Sequence, residues 1–228
     1  MKKKIWLAII VFLGAIAFTI PVQALTFNYD YEYSGAASPA GPAPWLTATF
    51  NDVTNVSVPG EPAPMSGVQL SLSTAGLTGS EFVTEWDFNL NPALGDPYYA
   101  IADIFHLSGI IPDSVSWGED AFLAGPDGNY DIEFLFGTAN AFRFTSGQTS
   151  VFLITGTGLT AGDFNYTSDP GNSGVGGPFL SGAHVQGIGS FAQDSGWVAP
   201  VGIAEPVTML LLGIGLIAVA GISRKLKK

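Results

Sequence analysis

Cysteine is absent from this sequence, and basic residues are almost absent between its two ends. Without cysteine there is no disulfide, no thiol nucleophile and no thiolate metal site, so stability must come from a core and from sheet hydrogen bonds. Of eight Lys and Arg residues, seven lie within positions 2–4 and 224–228, which leaves Arg143 alone in the body. All 19 acidic residues fall between Leu25 and Glu205; set against one arginine, they give that region a formal charge of −18. Binding nucleic acid takes clustered Lys and Arg on the phosphates, so nucleic acid is excluded as a partner. The same charge resists anionic lipid and suits a solvated exterior, cations or neutral polymers. Histidine is scarce too: His106 and His184 are the only two, and neither sits in a metal-ligand spacing such as His-x3-His.

What is present begins with two apolar runs. Lys2–Lys4, the apolar stretch Ile5–Ile20, the helix-breaking Pro21 and the small residues of Val22-Gln23-Ala24 have the three parts of a secretory signal. Cleavage is expected after Ala24, so that signal peptidase removes residues 1–24 and the mature chain starts at Leu25. An uncleaved N-terminal anchor is the alternative. At the other end, Val207–Ile222 is apolar and is followed by Arg224, Lys225, Lys227 and Lys228. About 16 residues at ~1.5 Å each reach ~24 Å, short of a ~30 Å hydrocarbon core, with snorkelling lysines and local thinning to close the gap. A single transmembrane helix is therefore expected, its basic tail in the cytoplasm and the body on the outer side of the inner membrane.

Glu205-Pro206-Val207-Thr208-Met209 leading into Leu210–Leu216, with Ala220-Gly221-Ile222-Ser223-Arg224-Lys225 behind it, resembles the PEP-CTERM sorting signal of Gram-negative bacteria. In that family a Pro-Glu-Pro motif precedes a glycine-bearing membrane helix and a short basic tail. This chain departs at one place, carrying Ala204 where the first proline is usual. The resemblance covers roughly the last 25 residues and makes Ala204, Glu205 and Pro206 the sorting motif. It implies recognition and cleavage by an exosortase, and an association with exopolysaccharide. An ordinary C-terminal anchor is the alternative. A second run, from Leu159-Thr160-Ala161-Gly162-Asp163-Phe164 through Ala183-His184-Val185-Gln186 to Ser195-Gly196-Trp197-Val198, is similar to a segment of uncharacterised PEP-CTERM proteins. It implies a shared domain and no particular chemistry.

Between the ends the pattern is strand-like. Phe27, Tyr29, Tyr31 and Tyr33 alternate with polar residues, as do Val68–Leu72, Phe82–Leu90 and Tyr130–Phe136. Val151–Thr155 reads as a strand buried on both faces. Gly-, Pro-, Asn- and Ser-rich joints recur, Asp127-Gly128 suits a hairpin turn, and Ala36–Pro44 and Asp169–Pro178 read as long loops. Sustained helical periodicity is missing. The expected fold is all-β: an antiparallel β-sandwich over residues 25–198, jelly-roll or Ig-like, followed by a linker and the sorting signal at 199–228.

Candidate chemistry is thin. No Gly-x-Ser-x-Gly elbow occurs; a triad on His184 is open, since triads are defined by geometry, with a strand histidine bonded to backbone the leading role. Glu85 with Asp87, and Asp131 with Glu133, are carboxylate pairs of the kind glycoside hydrolysis uses, but each pair at i, i+2 shares one strand face. With Trp86 and Ile132 turned inward, that face is expected to be solvated. Asp127, Asn129 and Asp131 place three oxygen side chains at alternate positions, a candidate structural Ca2+ site with Glu119-Asp120 nearby. Ile132 occupies the position an EF-hand gives to glycine, so a plain hairpin turn is the leading reading. Trp45, Trp117, Tyr98 and Tyr99, each beside turn residues, are the candidate sugar-stacking side chains, with packing against the core edge the leading reading for each. No catalytic residue is assigned. The expected role is an exported, non-enzymatic surface protein in an extracellular polysaccharide or biofilm matrix. A membrane-anchored carbohydrate-binding module is the first alternative and a secreted hydrolase the second.

Overall fold

The computed structural model describes residues 24–35 and 37–201. The expected signal segment at 1–23, the motif Ala204-Glu205-Pro206 and the membrane helix at 207–222 lie outside the described residues. Among those that are described, no helix is long and apolar enough to cross a membrane.

Eleven strands follow one another: β1 (Ala24–Gly35), β2 (Leu46–Val56), β3 (Met65–Ser73), β4 (Phe82–Phe88), β5 (Asp103–Gly109) and β6 (Ser114–Ala124). Next come β7 (Gly128–Leu135), the short β8 (Phe144–Thr145), β9 (Thr149–Thr155), β10 (Ser181–Ile188) and β11 (Asp194–Pro200). The helix α1 (Pro97–Ala100) is a single turn, started by Asp96, whose side chain accepts the Tyr98 N–H at 2.9 Å. All-β, antiparallel architecture is what the sequence periodicity predicts, and all ten strand pairings are antiparallel.

Instead of two separate stacked sheets, the strands form one sheet in the order β5-β9-β3-β2-β1-β11-β10-β4-β7-β6, nearly closed into a barrel, with β8 beside β4. Two features join what would otherwise be two layers. β1 pairs with β2 through its first half, Ala24–Tyr29, and with β11 through its second, Tyr29–Gly35. The two edge strands, β5 and β6, are consecutive in the chain and separated only by residues 110–113. The Ile110 N–H is bonded to Thr149 and the Asp113 N–H to Leu135, which ties that loop to both flanks.

Aromatic rings fill the interior. Phe50 packs on Phe27, Phe88 and Phe164 at 5.8, 5.2 and 4.4 Å between centroids, and Phe134 meets Phe152 at 4.7 Å. Partners from both halves of the sheet thus share one core, worth roughly 1.5–3 kcal/mol for each large apolar side chain removed from water. Trp86 and Ile132 are both fully buried in it, as their alternation requires.

The strict alternation expected of β1 does not hold along its whole length. A register shift after Tyr29 turns the strand over, because one extra residue moves the side chains that follow to the opposite face, and a second shift follows Glu32. Phe27 and Tyr29 join the main core, while Tyr33 packs with Phe179 and Trp197 in a smaller cluster and Tyr31 stacks on Phe179 at 5.8 Å. A similar slip between Val83 and Glu85 leaves Val83, rather than Thr84, pointing inward with Trp86 and Phe88. The expected hairpin is present between β6 and β7, but its positive-φ glycine is Gly125, at φ 55°, and not Gly128.

Candidate functional site

The face of β4 and β7 turned away from the core carries the acidic residues. Near one end of this face, β6 departs from its partner: Trp117 lies opposite Ile132 and Phe122 opposite Tyr130, so Gly118–Ala121 form a bulge set against Asp131 alone. Asp131 holds this departure in place. Its Oδ1 accepts the Asp120 N–H at 3.0 Å and its Oδ2 accepts the Leu90 N–H at 2.9 Å, pinning the bulge to the exit of β4. Asp120 itself adopts φ 46°, a left-handed conformation that aspartate tolerates better than most residues.

The bulge forms one wall of a cleft of about 510 Å³. Glu119, Asp120, Asp131 and Asp169 give it negative charge; Tyr166 and Asn89 also line it. Asn89 is 3% exposed, and its Nδ2 has no hydrogen-bond partner among the described residues. Burial, then the charges of Asp131 and Asp169, push the Asp120 carboxyl above its ordinary value. Burial likewise raises Asp131, against the pull of its two backbone N–H bonds. Pro97, at the start of α1, is another wall residue, and Tyr98 and Tyr99 follow it at 66% and 83% exposure with their rings 5.2 Å apart and perpendicular.

The four candidate stacking residues therefore separate. Tyr98 and Tyr99 are presented to solvent beside the cleft. Trp45 is not: it is 7% exposed, packs in the main core and donates Nε1–H to the Gly41 carbonyl at 3.2 Å. Trp117 is half-buried against the same core. Both tryptophans thus pack against the core, because the turns beside them fold back onto the sheet.

Asp127, Asn129 and Asp131 are drawn to different partners. The Asp127 Oδ2 accepts from Tyr130 Oη and Ser168 Oγ, both at 2.7 Å, and from the Phe179 N–H at 3.3 Å. Asp131 faces the β6 bulge, and Asn129 contributes its backbone carbonyl to the Asp169 N–H.

His184 stacks on Trp197 at 4.9 Å and 20°, with Nδ1 3.1 Å from Thr84 Oγ1; burial lowers its pKa. Its expected backbone bond is replaced by this threonine.

The carboxylate pairs regroup. Glu85 and Asp87 share one face, as their spacing requires, and Glu133 joins them from β7, directly opposite Asp87. One carboxylate oxygen from each lies within 4.8 Å of the others. This face is not solvated as expected: Asp87 is fully buried, while Glu85 and Glu133 are partly exposed. Gly182 stands across from Asp87 on β10, and a Cβ there would lie 2.9 Å from both Ala124 Cβ and Tyr33 Oη. The end of β6 and the turned-over part of β1 thus lie close over this stretch, and only glycine leaves them room.

Burial first, then the neighbouring charge of Glu133 and a hydrogen bond to it, push the Glu85 pKa up to about 7. Burial and its two acidic neighbours raise Asp87 well above the ordinary carboxylate range, and burial raises Glu133. No family model, curated protein or solved structure matches the chain.

Proposed function

We propose that this chain is an exported, non-enzymatic surface protein of the PEP-CTERM type, whose β-domain holds a neutral extracellular polysaccharide in the cleft beside Tyr98 and Tyr99. Signal peptidase would release it at Ala24–Leu25, and an exosortase would cut near Ala204-Glu205-Pro206. The mature protein would then pass from the inner membrane to the cell surface or matrix. We read the curled sheet as a sandwich whose two layers share β1, a scaffold that leaves its loops free for binding.

The observation that carries the polymer half is the cleft itself. It combines an unpartnered, buried amide donor at Asn89 with two exposed tyrosine rings following its wall residue Pro97. Sugar hydroxyls can accept from the amide, and sugar faces stack on the rings. Four carboxylates around the same space select against anionic polymers. The export half is supported by the distribution of charge in the sequence and by β1. Leu25 is already buried and paired with Phe50, so cleavage after Ala24 preserves the strand from its second residue onward. The engagement of His184 by Thr84 and Trp197 favours a structural role for that histidine.

Intact mass of the protein recovered from the cell exterior and from the inner membrane tests the sorting. A species starting at Leu25 and ending near Glu205 is expected outside the cell. A species retaining Lys228 and found only in membranes would rule out C-terminal processing and favour the second reading, a membrane-anchored carbohydrate-binding module using the same cleft. Affinity electrophoresis in neutral polysaccharide gels tests the cleft. The double variant Tyr98→Ala, Tyr99→Ala is expected to lose most of the retardation, and unchanged retardation would remove the cleft from the reading.

A further inference from the structure

We propose that Glu85, Asp87 and Glu133 form a binding site for a hard divalent cation of the calcium type. The site lies on the outer face of β4 and β7 and is separate from the polymer cleft.

Asp87 is the decisive residue. It is fully buried, it projects toward Glu85 and Glu133, and neither of its carboxylate oxygens has a hydrogen-bond partner among the described residues. A buried carboxylate is ordinarily answered by backbone N–H groups, hydroxyls or a basic side chain. The same layer shows how that is done. Asp127 takes three donors on its Oδ2, though its Oδ1 has none among the described residues, and Asp131 takes two backbone N–H groups. Asp87 instead meets two further acids. Among the described residues the only Lys or Arg is Arg143, and it lies over the Phe82 ring at 4.0 Å with Nε bonded to Thr138. No Lys or Arg among the described residues therefore balances the trio.

The spacing and ligand type define what would. Oxygens bound to one calcium ion at ~2.3–2.6 Å can stand no more than ~5 Å apart, and three carboxylate oxygens within 4.8 Å of one another meet that limit. The all-oxygen set selects a hard ion over zinc or copper, which favour imidazole and thiolate. Asp87 anchors the inner side on a central strand, while the partly exposed Glu85 and Glu133 leave the outer side open to entry and to water ligands. Water ligands and flexible glutamates accommodate calcium better than magnesium, which demands a compact octahedron.

The experiment uses the full-length chain purified in detergent, stripped with EDTA and titrated with CaCl2 in mildly alkaline buffer. Calorimetry and thermal unfolding are followed in parallel. Calcium is expected to bind with a Kd no weaker than ~10⁻⁴–10⁻³ M, the range of extracellular calcium modules, and to raise Tm by several degrees. Asp87→Asn and Glu133→Gln are expected to weaken the response at least ~10-fold, the scale on which lost metal-site partners act. The second variant sits at a partly exposed position and reports on the site even if the first perturbs folding. Glu119→Gln with Asp169→Asn, in the cleft, is expected to leave the response intact. Absence of any calcium-dependent shift in the wild-type chain overturns the proposal. So does a full response in either trio variant together with its loss in the cleft variant, which would move the ion to the cleft. Polysaccharide retardation in EDTA is independent of this outcome, so the two proposals fail separately.

Discussion

Asp131 and Asp87 are both buried carboxylates on the outer face of adjoining strands, yet the molecule treats them in opposite ways. Asp131 is satisfied by two backbone N–H groups, and through them it shapes the β6 bulge and the exit of β4. Neither carboxylate oxygen of Asp87 has a hydrogen-bond partner among the described residues. A buried acid with protein donors is part of the framework; one without them is left to be neutralised by a proton or by a bound cation. Burial alone does not tell the two apart, because both are deeply covered. The donors do.

Substitutions on the framework side should have the largest effects. Asp127→Ala leaves Tyr130 Oη, Ser168 Oγ and the Phe179 N–H without their acceptor. At ~1–3 kcal/mol for each orphaned buried donor, a loss on the order of 3–5 kcal/mol is expected in urea unfolding, and a loss below 1 kcal/mol would remove Asp127 from the framework. Asp131→Ala orphans two N–H groups and should cost about 2–4 kcal/mol. The cleft should open with it, seen as faster hydrogen exchange at Asp120 and Leu90. For Asp87 the sign should reverse. In EDTA, Asp87→Asn removes a buried carboxyl whose ionisation burial and two acidic neighbours oppose, and should stabilise the chain by on the order of 1–3 kcal/mol. A destabilisation as large as that of Asp131→Ala would erase the distinction between the two residues.

The smallest expected effect comes from a third acid, Asp163, which belongs to the framework at a partly exposed position. Burial pushes its carboxyl up, but hydrogen bonds from Asn91 and Thr160 outweigh this and hold its pKa below the ordinary value. A depressed folded pKa contributes stability that is fully present above the unfolded pKa of ~3.9 and is lost as pH falls through the folded one. The urea midpoints of wild type and Asp163→Asn should therefore differ at pH 5 and converge as the pH is lowered below ~3.9. A constant difference across that range would mean that the ionised form is not the one the fold prefers.

Much of the interior was readable from the sequence. The alternations around Phe27, Leu70, Trp86 and Phe134 place those side chains in the core, and Val151–Thr155 is indeed covered on both faces at Phe152, Leu153 and Ile154. The register slips were not readable, since Tyr31 and Tyr33 continue the same alternation as Phe27 and Tyr29. A bulge arises where a strand changes partners, and that is a property of the whole sheet. The carboxylate trio was half visible. Glu85 and Asp87 stand out as a pair on one face, but Glu133 belongs to a strand distant in sequence, and the cover near Asp87 depends on a bulge in β1 and a glycine in β10. Which of the four turn-side aromatics would be covered was not readable for a related reason: neighbouring turn residues describe the backbone, whereas burial depends on what that turn folds against.

The bulge in β6 also bears on how copies of the protein meet one another. As an end strand of the sheet, β6 would offer a row of free N–H and C=O groups to the next molecule. Four residues out of register, one of them in a left-handed conformation and two of them acidic, break that row near its middle. Copies of the protein would then find this edge a poor template for strand addition.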